Sequence, residues 1–130
     1  MKLSTLKSEN PFLFGYLMAA FWTNDDDAPS GEYMDTNRPA KMLSKLTRAA
    51  FDMARKDCKA FKSQNKRDLA FAGNDEQNGH DFWLTRNRSG AGFWDRDYSK
   101  DISKGLTDAA HSFGETDLYA GDFGWLYFSR

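Results

Sequence analysis

Residues 79–98, GHDFWLTRNRSGAGFWDRDY, set Phe82, Trp83, Phe93, Trp94 and Tyr98 among Arg86, Arg88 and Arg96. Two short runs, DFWLTRN and AGFWD, flank RSG. Aromatic runs separated by turn residues read as the two strands of a hairpin. Alternation then puts Phe82 and Leu84 on one face and Trp83 and Thr85 on the other, so one face belongs to the core. The three arginines are balanced by Asp81, Asp95 and Asp97. A platform for single-stranded nucleic acid needs aromatic faces beside a surplus of positive charge. The aromatics are present and the surplus is not, so the stretch reads first as a structural hairpin. The second reading is a partner-binding surface on Trp83, Arg86, Arg88 and Trp94, because Trp and Arg dominate interface hot spots.

Outward from this stretch the chain alternates clear signals with punctuation. After it, SKDISKGLTDAAHSFG predicts an amphipathic helix with Ile102, Leu106, Ala109, Ala110 and Phe113 as its apolar stripe and Gly114 as C-cap. TDLYA and WLYFS around GDFG predict a second hairpin. Before it, DLAFAGNDEQNG reads as a polar connection. Residues 40–67 predict the clearest helix. Leu43, Leu46, Ala50, Ala54, Cys58 and Phe61 recur at three and four, with Met53 beside them. Lys41, Lys45, Arg48, Arg55, Lys59, Lys62 and Lys66 recur at the same spacings, about 180° from the apolar stripe. Residues 41–67 hold nine basic and two acidic side chains. One face docks and the other is a basic ridge, relieved from within only by Asp52.

Nearer the start, NDDDAPSGEYMDTNRP is a loop carrying Asp25, Asp26, Asp27, Glu32 and Asp35, a candidate internal counterpart of the ridge. PFLFGYLMAAFW, residues 11–22, is too short to span a bilayer and lacks a clear cleavage site for a signal peptide. Asn10 as N-cap and Pro11 at the first helical position make it a buried helix. The predicted order is α-α-β-β-α-β-β: an α+β fold of helices packed on a small antiparallel sheet built from two hairpins.

The length of 130 residues suits a single domain, 1–130, and the aromatic share of 15% suits an aromatic core. The net charge of -1 excludes a bulk polycation. A single cysteine, Cys58, excludes an intramolecular disulfide, disfavours a thiolate zinc site and fits a reducing, cytoplasmic setting. On the apolar stripe, Cys58 is expected to be buried and unreactive.

The motifs GHDFWLTRN and GAGFWDR, followed by LTDAAHSFGETDLYAGD, give residues 79–128 a resemblance. The chain resembles a family of small proteins encoded by bacteriophages and prophages. DCKAF and GYLMAAFW extend the likeness over most of the chain. The resemblance implies phage origin and action in the host bacterial cytoplasm, and it brings no catalytic residues. This chain has RNRSGAGFWD where the family pattern has Gly and His before GAG, which weakens any role for a histidine in that turn.

Three constellations invite chemistry. His80 beside Asp81 has the composition of an oriented acid–base pair, but strand neighbours point to opposite faces and no nucleophile stands near. Asp57 falls within the apolar stripe, where a carboxylate must be paired or hydrogen-bonded. Its candidate partners are backbone N–H groups, His80 or an arginine of the hairpin. GDFG carries the letters of a kinase metal motif without the rest of the set. Asp25, Asp26 and Asp27 lack the spacing of a calcium loop. No cofactor, metal or membrane partner is expected. The reading that follows is a phage accessory protein that binds a host protein and inhibits or redirects a host enzyme or defence system. The alternative is a nucleic-acid-binding module using the basic helix face and the hairpin aromatics. A small hydrolase or nuclease using His80, Asp81 and Asp57 comes third.

Overall fold

A computed structural model describes residues 1–24 and 37–129. The acidic stretch Asp25, Asp26, Asp27, Glu32 and Asp35 lies outside the described residues. The fold is α+β: seven α-helices and one two-stranded antiparallel sheet among the described residues. The helices are α1 Leu3–Glu9, α2 Pro11–Thr23, α3 Arg38–Lys45, α4 Arg48–Gln64, α5 Lys66–Leu69, α6 Asp75–Arg86 and α7 Lys100–Ser112. The strands are β1 Leu118–Ala120 and β2 Leu126–Phe128.

The centre is the crossing of α2 with α6. Helix α2 starts as its sequence predicts, with the Asn10 side chain accepting from the Leu13 N–H and Pro11 in the first turn. It is then buried on nearly every side, from Phe12 through Phe21. The two backbones touch because each helix brings a glycine to the crossing. A Cβ on Gly15 would lie 1.9 Å from the Glu76 carbonyl oxygen, and one on Gly79 would lie 1.9 Å from that of Phe12. Around them Phe12, Tyr16, Phe61, Phe82, Phe93 and Phe113 form a continuous aromatic core, with Phe61 and Phe82 stacked at 4.1 Å.

The first hairpin is not there. DFWLTRN belongs to α6, and AGFWD forms a loop ending in one 3-10 turn, Phe93–Asp95. The physical reason lies upstream, in the stretch read as a polar connection. The Asn74 side chain accepts from the Gln77 N–H, and Asp75 and Glu76 place negative charge at the helix N-terminus. Asn78, Gly79 and residues 81–86 are all buried, so no polar face reveals the helical period. Phe82, Trp83 and Thr85 favour strands only weakly, and packing on α2 overrides that preference. RSG supplies the reversal after α6, with Arg88 and Gly90 at positive φ. Gly92, at φ 147°, sits where a Cβ would meet Thr85 Oγ1 at 2.1 Å.

The long basic helix is broken. Leu46 leaves α3 in an extended conformation and bridges Leu126, while the Thr47 N–H donates to the Leu126 carbonyl. Thr47 then caps α4, its hydroxyl accepting from the Ala50 N–H. Leu43, Ala50, Ala54, Cys58 and Phe61 are buried as expected, and Leu46 and Met53 are half-buried. Helix α4 packs on α2 and α5, and β2 reaches it from the sheet.

The C-terminal half follows its sequence. Ser99 caps α7, Leu106 and Ala110 are buried, and Gly114 at φ 78° ends the helix. Strands β1 and β2 pair in the register Leu118 to Phe128, Tyr119 to Tyr127 and Ala120 to Leu126. GDFG is the turn between them.

Candidate functional site

The arginine that looked like an interface anchor is the largest fully buried side chain among the described residues. Arg86 leaves α6 on its core side, and four of its five guanidinium N–H groups find acceptors. Nη1 donates to Asp57 Oδ2 at 2.8 Å and to the Tyr16 hydroxyl at 3.1 Å. Nε and Nη2 donate to the carbonyls of Gly114 and Phe113 at 2.8 and 3.1 Å. The charge lies 5.6 Å from the Phe82 ring centre and 5.8 Å from that of Phe113. It thus caps the negative C-terminal end of α7 while pairing with α4 and touching α2. Burial pushes the Tyr16 phenol and the Cys58 thiol well above their ordinary values, so both stay protonated. This constellation joins four helices, with Tyr16, Asp57 and Arg86 all buried. Asp57 is braced by an arginine, one of the partners its position calls for.

Asp81 is also fully buried, and Arg96 holds it with two hydrogen bonds of 2.8 and 3.0 Å. Burial alone would raise its pKa. The nearby His80 and the two hydrogen bonds from Arg96 outweigh that and hold the carboxyl below its ordinary value. His80 Nδ1 lies 3.9 Å from Asp81 Oδ1, its neighbour on α6. The acid–base constellation still does not assemble. Positions 81 and 86 are about 140° apart around α6, so Asp81 turns to Arg96 while Arg86 takes Asp57. Trp83 is likewise structural: its indole N–H donates to Thr23 Oγ1 at 2.9 Å, and its ring meets Tyr16 edge-on. Trp83 and Arg86, expected as partner contacts, are instead buried among the helices, so neither offers the exposed face of an interface anchor. Arg88 and Trp94 remain exposed on the loop after α6.

The basic ridge is real in exposure and divided in geometry. Lys41 and Lys45 belong to α3, and Arg48, Arg55, Lys59 and Lys62 to α4, with Lys66 opening α5. All are exposed except half-buried Lys62, which lies 3.8 Å from Asp75 and over the Phe12 ring. Asp52 sits between Arg48 and Arg55, at 3.4 and 3.5 Å.

One surface was not singled out by the sequence reading. Alternation along the C-terminal hairpin turns Leu118, Leu126 and Phe128 inward and leaves Tyr119, Trp125 and Tyr127 on the outer side. Tyr119 and Tyr127 stack at 5.6 Å across the strands. Gly121 leaves room for the second ring, since a Cβ there would lie 2.5 Å from it. At the turn, Phe123 is 92% exposed and held at φ 61°. An apolar, non-glycine residue in that left-handed region is a costly arrangement with no internal packing to offset it. Lys45 lies over the Trp125 ring at 5.1 Å, joining the aromatic face to the basic helices. The period-two pattern of LYA and WLYF could have revealed this face.

Among the described residues no cluster of three or more His, Cys, Asp or Glu can hold a metal ion, and no helix is long and apolar enough to cross a membrane. Comparison with protein-family models, curated proteins and solved structures finds no match to this chain.

Proposed function

We propose that the protein works by binding a host protein inside the bacterial cell, inhibiting or redirecting an enzyme or defence system, in the phage setting that its motifs imply. The observation that supports this most is the outer face of the C-terminal hairpin. Tyr119, Trp125, Tyr127 and the strained, exposed Phe123 lie together beside Lys45. Rigid aromatic side chains with a neighbouring cation are the composition of an interface hot spot. Catalysis has less support, because the buried carboxylates of Asp57 and Asp81 are each held by an arginine.

Nucleic acid is the second reading, favoured by a stacked tyrosine pair and a lysine-covered tryptophan next to basic helices. The hairpin's own Asp117 and Asp122, both exposed, and the net charge of -1 weigh against it. The test replaces Phe123 with a photo-crosslinking amino acid in the full chain, expressed in the host. A protein adduct that disappears when Trp125→Ala is added is expected. An adduct to nucleic acid, or a protein adduct indifferent to Trp125, overturns the proposal.

A further inference from the structure

The face that continues from Trp125 through Lys45 leads to a groove of about 470 Å³ where α3 meets α4. Its apolar lining comes from Leu43, Leu46 and Phe51 with the exposed Met1 beside them, and Arg48 and Arg55 complete it with Asp52 between them. Leu46 is also the residue that bridges β2, so groove and hairpin adjoin. The two arginine–aspartate contacts are long and exposed, the kind of pair that solvent and competing ions weaken. A second depression farther along α4 is lined by Arg55, Lys59 and Lys62. Arg48, Arg55 and Lys62 are spaced by seven residues, so they repeat on one side of α4 about 10 Å apart.

From this arrangement we infer that the groove takes an acidic amphipathic helix of the partner protein, its apolar side chains on Leu43, Leu46 and Phe51 and its carboxylates on Arg48 and Arg55. The inference deepens the preceding reading and rests on it. Charge complementarity selects the occupant. One carboxylate serves two guanidiniums, which leaves a positive surplus beside an apolar lining. A helix with acids every seventh residue meets these cations in register, and a leucine stripe beside them fills the groove. An extended phosphate chain would satisfy the cations and leave the apolar lining uncovered.

The probe is a fluorescein-labelled helical peptide with glutamate every seventh residue and a flanking leucine stripe, titrated against the full chain by anisotropy. Binding is expected. Arg48→Glu with Arg55→Glu should weaken it at least about tenfold, and a lysine-for-glutamate peptide should recover affinity for that variant. Replacing the leucines by serine should weaken binding to the wild type by a similar factor. Arg48→Gln with Arg55→Gln, which introduces no new charge, should give an intermediate loss. No binding, or equal binding of the serine peptide, overturns the inference, as does displacement of the peptide by oligothymidine. A host adduct at Phe123 that survives the double reversal also overturns it and leaves the binding reading standing. Absence of any Trp125-dependent adduct removes both.

Discussion

Replacing Arg86 by methionine keeps most of the side-chain volume and removes the guanidinium that α2, α4, α6 and the end of α7 share. Four hydrogen bonds go, one of them to the buried Asp57 carboxylate. Breaking a buried ion pair by removing one partner costs about 3–5 kcal/mol. The carbonyls of Phe113 and Gly114 lose a charged donor as well, which places the change toward the upper end of that range. A domain of this size has a total stability of about 5–15 kcal/mol, so the variant should be close to unfolding. Urea denaturation followed by tryptophan fluorescence should show it. With a slope of about 1–3 kcal/mol per molar, the midpoint should fall by at least about 1 M. Arg86→Met with Asp57→Leu should recover part of the loss, because the buried carboxylate is gone, but not all, because the Tyr16 hydroxyl and two carbonyls still lack their donor. An Arg86→Met protein within about 1 kcal/mol of wild type would refute the bracing role.

Three further outcomes are expected. Asp81 is held below its ordinary pKa, so its contribution is full above about pH 4 and is lost as pH falls through the lower, folded-state value; Asp81→Asn should cost ~1.5–3 kcal/mol at neutral pH, and the gap to wild type should close in acid unfolding curves. Gly79→Ala gains helix propensity worth about 1 kcal/mol, yet its methyl would stand 1.9 Å from the Phe12 carbonyl, so thermal melting should show net destabilisation; a stabilised variant would disprove the close crossing. Cys58 is buried and its thiol is raised by burial and by Asp57, so a thiol reagent should label the native protein far more slowly than the denatured one.

The elements legible in the sequence are those whose signals are local. Asn10–Pro11 begins α2, Ser99 and Gly114 bound α7, and GDFG joins two alternating runs; each signal works within a few residues of itself. Asp57 was legible for another reason: a carboxylate on an apolar stripe needs a partner wherever the chain supplies one. Helix α6 was hidden because its buried surface goes almost all the way round, so its composition matched a strand. The cap at Asn74 with Asp75 and Glu76 was the available clue. The break between α3 and α4 left a fainter clue, Thr47, whose hydroxyl caps α4 inside an otherwise continuous pattern. Leu46 continues the apolar stripe, and only its pairing with Leu126, eighty residues away, draws it out of the helix. The expectation of Trp83 and Arg86 as partner contacts followed from the same misreading, since odd and even positions of a strand face opposite sides and only one side is core. The outer hairpin aromatics were readable from alternation once the strands were placed.

The most direct measurement passes nuclease-treated host extract over the immobilised full chain, with wild type and a Phe123→Asp, Trp125→Ala variant in parallel. The variant must first match wild type by circular dichroism, as two exposed positions should allow. The expected result is one host protein retained by wild type at physiological salt and absent from the variant eluate. Equal retention by both, or retention only of nucleic acid when nuclease is omitted, would contradict the proposed function.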